Sequence, residues 1–365
     1  MTNILYQVCR AFRINGTMTS YEEIKVGIVN QTYKVNFLLD DVTEKSYIVQ
    51  SINTYAFKQP ELIMDNIDQI TEHIRPKKAG QVALHFHHTA DGKTYYIDDT
   101  GFWRLFNYIE SDTYNVTANL EIVHNAGEAF GEFQMLLVDF DASKLNETIP
   151  HFHDTRMRFQ NLWHDVESDP CGRVVEVQDE LDWLRAAEDR ACRLIDMHTS
   201  GQIPLRVTHN DTKINNVLFA KNSTAPLVVI DLDTVMPGIV GNDFGDAIRF
   251  VANYVEEDCP NLEFVGVNLD VYSAFADGFL KQTVNALTKE ELDTLPLSCF
   301  AITVELATRF LTDYIAGDLY FHINYPEHNL VRARNQIALA KDMLVKMDQM
   351  ERVVNECVSR YTQKG

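Results

Sequence analysis

Between Pro204 and Asp233 the chain reads Pro-Leu-Arg-Val-Thr-His-Asn-Asp-Thr-Lys-Ile-Asn-Asn-Val-Leu-Phe, then a polar turn, then Leu-Val-Val-Ile-Asp-Leu-Asp. Two short apolar runs, 217–220 and 227–230, flank the turn 221–226. Such a pattern predicts two buried strands joined tightly. The polar residues 209–216 precede the first strand, and Asp231 and Asp233 follow the second. A hairpin therefore brings Asp211, Asn216 and Asp231 to one end. Two carboxylates and a carboxamide oxygen, without a thiolate, suit a hard cation such as Mg²⁺.

The spacing says more than the composition. His209-x-Asp211-x-Lys213-x-x-Asn216 is the H-x-D-x-K-x-x-N arrangement of a kinase catalytic loop. In such loops the Asp accepts the proton of the substrate hydroxyl and the Asn holds a metal. Phosphoryl transfer is mostly positioning and charge neutralisation, so a carboxylate to orient the nucleophile, a cation such as Lys213 and metal ligands are the residue types it needs. A polar loop whose Asp and Asn merely cap turns is the bland alternative, and Asp231 at the end of the next apolar run argues against it.

Asp243-Phe244-Gly245 spells the protein-kinase metal motif letter for letter. Asp231, however, lies twenty positions beyond Asp211 and ends a strand, whereas Asp243 lies thirty-two beyond it and follows a turn. The metal is therefore assigned to Asn216 and Asp231. Asp243 and Asp246 are expected to brace the catalytic loop or cap a helix beginning near Ala247.

This loop resembles the aminoglycoside phosphotransferase and choline kinase superfamily, whose members are kinase-like and phosphorylate small molecules. Protein kinases fit less well, because no Ala-Pro-Glu segment follows Asp231. The resemblance implies an α+β, two-lobed protein-kinase-like fold, with a small antiparallel-sheet N-terminal lobe (1–110) and a larger helical catalytic lobe (111–365).

Composition is consistent with that. At 365 residues the chain is long enough for two lobes, and 45% hydrophobic content supplies a core. A net charge of −21 argues against nucleic acid and anionic membranes as partners. It also requires that bound ATP be neutralised locally. Six cysteines without C-x-x-C spacing read as reduced thiols of a cytoplasmic protein. No signal peptide or membrane-spanning segment is expected.

Along the chain, a helix is predicted at 3–12 and strands at 21–28, 31–39 and 45–53. The turn between the first two strands, with Gly27, Asn30 and Thr32, occupies the place where kinase-like folds cover the ATP phosphates. It has one glycine and lacks G-x-G-x-x-G. The third strand is where a kinase places the lysine that meets the phosphates; here the residue is Gln50. A helix at 60–75, further strands at 82–88, 94–98 and 102–108, and a hinge at 107–114 that includes Tyr108 follow. His85, His87 and His88 are read as solvated imidazoles on an edge strand. Helices are predicted at 121–137, 156–164 (with Asp154 as N-cap), 179–198, 271–284, 289–316 and 327–358.

The C-terminal segments sharpen the resemblance. Thr308-Arg309-Phe310-Leu311-Thr312-Asp313-Tyr314, Gly317-Asp318-Leu319-Tyr320-Phe321 and Tyr325-Pro326-Glu327-His328-Asn329-Leu330-Val331-Arg332 look like N-acetylhexosamine 1-kinases, as do 29–33, 130–136, 140–143, 208–216, 230–234 and 243–250. The similarity extends to Gln50, whereas the family is richer in glycine before Gly27. It implies Mg²⁺-dependent transfer of the ATP γ-phosphoryl group to the anomeric hydroxyl of N-acetylglucosamine or N-acetylgalactosamine, by a monomer or homodimer. Asp211 and Lys213 would be catalytic. Arg309 and Tyr320 would contact the sugar, with Asp233, Arg249 and Phe250 as further candidates. The alternatives are a kinase for another hexose, an aminoglycoside or an amino alcohol, and a binding protein without activity.

Overall fold

The computed structural model of the chain describes residues 1–25 and 30–362. Gly27 lies outside the described residues. The chain runs α1 (Thr2–Ala11), β1 (Thr17–Ile24), β2 (Gln31–Leu38), β3 (Glu44–Ile52), α2 (Pro60–Ile74), β4 (Tyr96–Asp98), β5 (Gly101–Asn107), α3 (Leu120–Leu136), α4 (Thr155–Ser168), α5 (Gln178–Ala191) and α6 (Arg193–Thr199). It continues through β6 (Arg206–Thr208), β7 (Val217–Phe219), β8 (Pro226–Val229), β9 (Met236–Gly238), α7 (Val240–Val251), α8 (Leu269–Thr283), α9 (Lys289–Ala316) and α10 (His328–Thr362).

The first five strands form one antiparallel sheet in the order β1-β2-β3-β5-β4. Strand side chains alternate between faces. Tyr33, Val35, Phe37, Tyr47, Val49, Trp103 and Leu105 make one face and pack on Leu5, Val8 and Phe12, the apolar side of α1. The opposite face holds Thr32, Gln50 and Arg104 side by side, since Thr32 pairs with Gln50 and Gln50 with Arg104. That face turns toward α2, whose Ile63, Met64, Ile67 and Ile70 join the core of the helical region.

The helical region is organised around α9, which is surrounded by α4, α7 and α10. By length and composition α9 could cross a membrane, contrary to expectation, but 83% of its apolar window is buried inside the protein, as in the core helix of a globular fold. Gly127 and Gly278 bring α3 and α8 together; a Cβ on either would collide with the backbone of the other helix. The mixed architecture, a sheet followed by helices, is the α+β fold the sequence implies.

Three elements differ from expectation. Residues 82–88 form a single bridge, Phe86 to Phe106, in place of a strand. Their histidines are not solvated: His85 and His87 are half-buried with rings 4.8 Å apart, and burial, then His85 and His88, push His87 down to about 4. The expected helix 179–198 is broken at Cys192 into α5 and α6. The helix expected near Ala247 begins at Val240, so Asp243 and Asp246 lie inside it and cap nothing.

Candidate active site

The stretch 204–238 folds as two nested ribbons. β6 pairs with β9 and, inside them, β7 pairs with β8. The loop 209–216 leaves β6 and the loop 230–235 enters β9, so the ribbons set the two loops side by side. Asn210 and Asp231 take positive φ, 63° and 61°. Asn and Asp tolerate that conformation better than other side chains do.

The first loop is held from behind. Asp243, on α7, accepts hydrogen bonds from the backbone N–H of His209 (2.8 Å) and Asn210 (2.7 Å) and from Gln134 Nε2 (2.7 Å). One turn on, Asp246 accepts from Thr212 N (3.2 Å) and Arg249. Burial opposes ionisation of Asp246, but Arg249 and Lys213 outweigh it and hold the carboxyl below its usual range. The literal metal motif is thus a brace: Asp243 holds the loop by its backbone. Gly245 lets α7 approach α9, since a Cβ there would sit 2.6 Å from the Ser298 carbonyl oxygen. His209 is fully buried between Phe130 and Phe133. Its Nδ1 accepts from Asp211 N (3.3 Å) and its Nε2 faces the Ile230 carbonyl (2.8 Å), which fixes the neutral tautomer and ties one loop to the other.

At the open end, Asp211 Oδ1 pairs with Lys213 Nζ at 2.8 Å. Asn216 donates its amide to the Asp211 carbonyl (2.9 Å) and Oδ2 (3.4 Å), which leaves its own side-chain oxygen as an acceptor. Burial, then the charges of Asp233 and Asp211, push Asp231 up to about 6. Crowded carboxylates of this kind are relieved by a cation. Asn216 and Asp231 offer hard oxygen donors, so the residues present fit Mg²⁺.

Two expected acceptor contacts lie elsewhere. Asp233 is buried and paired with both terminal nitrogens of Arg104, and it also accepts from Asn30 Nδ2 at 2.8 Å. Arg249 is 4% exposed, with its guanidinium engaged by Asp246 and Glu257. Both are committed to ion pairs inside the fold because a buried charge is stable only with a partner. Phe250 packs against the core. Thr32 accepts a hydrogen bond from Gln50 at 2.8 Å. The Tyr108 N–H donates to the Ser46 carbonyl (3.2 Å) and is not free for a nucleotide.

Arg309 and Tyr320 do meet, in a pocket of about 260 Å³ that Arg158, Asn161, Asp313 and Phe321 also line. The Arg309 guanidinium lies over Phe152 and Phe321, 5.2 and 5.5 Å from the ring centres. Arg158 donates to the Phe152 carbonyl at 2.7 Å, while its Nε is buried without a partner among the described residues. The carboxylates nearby are engaged. Asp313 accepts from the backbone N–H of Leu319, Tyr320 and Phe321, at 2.8, 2.8 and 2.9 Å, and from Asn329. Glu305 is engaged by His153 (2.9 Å) and Thr155 (2.8 Å), and His153 Nε2 reaches the Asn210 carbonyl at 3.3 Å, linking this wall to the catalytic loop. The Asp154 N-cap is present, at 3.0 Å from Met157 N.

Sequence reasoning missed Arg104, Arg158 and the His153–Glu305 pair. Arg104 left one signal, a lone charge inside the apolar run Phe102-Trp103-Arg104-Leu105-Phe106.

Comparison with known proteins follows the same lines. Residues 20–263 match the model of the phosphotransferase enzyme family. An aminoglycoside phosphotransferase from Alicyclobacillus acidocaldarius superposes with a TM-score of 0.63 at 11% identity, covering 96% of both chains. A microcompartment-associated aminopropanol kinase gives 0.63 at 17% identity, over 95% of this chain and 98% of the other. A choline kinase from Cryptosporidium parvum gives 0.59 at 13%, over 98% and 99%. At these identities the likeness is one of fold.

Proposed function

The chain belongs to the phosphotransferase enzyme family, and on that premise we propose that it transfers the γ-phosphoryl group of ATP to the anomeric hydroxyl of an N-acetylhexosamine, giving the sugar 1-phosphate. The observation that carries the choice of acceptor is which charged groups face the pocket beside the loop 209–216 and which are already engaged. It presents Arg158 and Arg309, while Asp313 and Glu305 are committed to partners within the fold. With those carboxylates already accepting hydrogen bonds within the fold, the pocket gives a cationic aminoglycoside, choline or amino alcohol guanidinium groups to face in place of an open acid. They suit an uncharged acceptor rich in hydroxyl and carbonyl oxygens, because guanidinium is a rigid array of donors. Tyr320 and Phe321 supply aromatic surface on which a sugar face can pack.

In this reading Asp211 accepts the hydrogen of the acceptor hydroxyl and takes its proton as the new P–O bond forms and the bond from the γ-phosphorus to the β,γ-bridging oxygen breaks, releasing ADP. Lys213, at 2.8 Å, fixes one carboxylate oxygen and leaves the other for the acceptor. Asn216 and Asp231 would hold Mg²⁺, which when bound neutralises charge on the phosphates. Asn30, Thr32 and Gln50 would lie toward the nucleotide. Asp243 and His209 keep the loop in position and contact no substrate.

The test is Mg²⁺-dependent ATP consumption against N-acetylglucosamine, N-acetylgalactosamine, glucose, galactose, choline and kanamycin, with product regiochemistry read by phosphorus and proton NMR. Phosphate at C1 of an N-acetylhexosamine is the expected result. Turnover confined to choline or kanamycin would reject the charge argument and return the acceptor to the amino compounds.

A further inference from the structure

A kinase-like site needs a cation under the nucleotide phosphates, and the strand position that ordinarily supplies it carries Gln50. Gln50 does not stand free to replace it. Its Oε1 accepts from Arg104 Nε at 2.8 Å, and its Nε2 donates to Thr32 Oγ1 at 2.8 Å. The residue opposite it on β5 is Arg104, so the two side chains share the face turned toward α2 and the loop 230–235. The charge absent from β3 is thus present one strand over.

The partner of that charge has moved as well. The carboxylates of α2 include Glu61, Asp65, Asp68 and Glu72, but the α2 atom that meets the guanidinium is Met64 Sδ, at 3.9 Å from Nη1. The acid is Asp233, on the metal loop itself and two residues beyond Asp231. Asn30, next to the phosphate-covering turn, donates to the same carboxylate at 2.8 Å and accepts from Asn53 N at 3.0 Å. Arg104 therefore lies where Asn30, the sheet and the loop 230–235 meet around one carboxylate. Near it, Asp231 feels both Asp233 and Asp211, and Lys213 is engaged by Asp211.

We propose that Arg104 is the phosphate-anchoring cation, gripped by Asp233 until the nucleotide phosphates displace that carboxylate. Gln50 then serves as the guide of this side chain, because it holds Arg104 Nε and so leaves the two terminal nitrogens to face the Asp233 carboxylate beside the loop of Asp231. The displaced Asp233 carboxylate stays on the loop of Asp231, where a divalent cation accompanying the nucleotide is its natural partner. The exchange leaves neither charge unpaired, and an unpaired buried charge is the costly arrangement. The inference rests on the nucleotide-dependent reading above.

The experiment is titration calorimetry of ATP and of ADP, with and without Mg²⁺, on four proteins: wild type, Arg104→Gln/Asp233→Asn, the same pair with Gln50→Lys, and Arg104→Lys. The double variant removes both charges together and leaves neither stranded. It is expected to weaken nucleotide binding by about tenfold or more, the scale of one charged hydrogen bond, with the acceptor KM unchanged. Restoring lysine at position 50 is expected to recover most of the loss. Equal binding by the double variant, no recovery with Gln50→Lys, or a parallel rise in acceptor KM would overturn the proposal. Should the double variant not fold, arginine side-chain ¹⁵N NMR on the wild type decides. The Arg104 Nε–H resonance, assigned by its loss in Arg104→Lys, should move on adding ADP, and a stationary resonance overturns the proposal. A wild type that binds no nucleotide overturns the functional reading as well.

Discussion

At Asp211 the two carboxylate oxygens have different neighbours, Lys213 at 2.8 Å and Asn216 at 3.4 Å. Asp211→Asn keeps the size but loses the basic oxygen. Turnover is expected to fall roughly 10²- to 10⁴-fold with ATP affinity retained; near-normal turnover would remove Asp211 from the role of base. Arg309→Ala deletes a donor of the pocket proposed for the acceptor. Acceptor KM should rise about tenfold while the ATP KM stays put, and unchanged acceptor kinetics would make Arg309 structural. Asp231 links activity to pH. Burial, then Asp233 and Asp211, raise its carboxyl from 3.8 to about 6, so without a cation the folded chain holds a proton that the unfolded chain releases. That contribution to stability is present at low pH and is lost as pH rises through this window. A cation needs the ionised form, so Mg²⁺ should raise Tm more at about pH 7.5 than at about pH 5.5. Equal gains at both would take Asp231 out of the cation site.

Among the elements, α7 keeps the catalytic loop in place. Gly245→Ala would press a methyl group against the Ser298 carbonyl oxygen and Ile302. About 1–3 kcal/mol of stability should be lost, seen as a lower midpoint in urea, and kcat should fall because Asp243 moves with the helix. Unchanged stability and rate would mean that α7 and α9 separate freely. This helix also marks where sequence reading stopped. The loop 209–216 and the strands around it were legible because the spacing of His209, Asp211, Lys213 and Asn216 is local and the flanking runs are apolar. The brace was half legible: Asp243 holds the loop as expected, but the start of α7 at Val240 carries no capping side chain to announce it. The break at Cys192 has neither Pro nor Gly to mark it. Arg104 and Asp233 are 129 residues apart, and no periodicity connects a charge in the five-stranded sheet to its partner on the loop 230–235. Arg249 and Asp233 were further acceptor candidates implied by the resemblance alone; in the fold each is matched to an opposite charge.

Across the whole molecule, a charge of −21 surrounds a site that must admit a polyanion. Long-range repulsion slows that encounter, and salt screens it over about 10 Å at 0.1 M. Raising monovalent salt from about 20 to about 150 mM should therefore increase kcat/KM for ATP. A decrease would show that local cations such as Arg104 and Lys213 dominate the approach. The chain also hangs its two loops from separate carboxylates. Asp243 on α7 carries the segment beginning at His209, and Asp313 on α9 carries 319–321 through three backbone N–H groups. Because Asp313 holds this segment through backbone N–H groups, the exposed side chains of Leu319 and Tyr320 can be replaced without removing those hydrogen bonds or the first anchor. Under the proposed function, a lineage, or an engineer grafting that segment between relatives, would exchange acceptor contacts while keeping the hydrogen bonds that hold the loop 209–216.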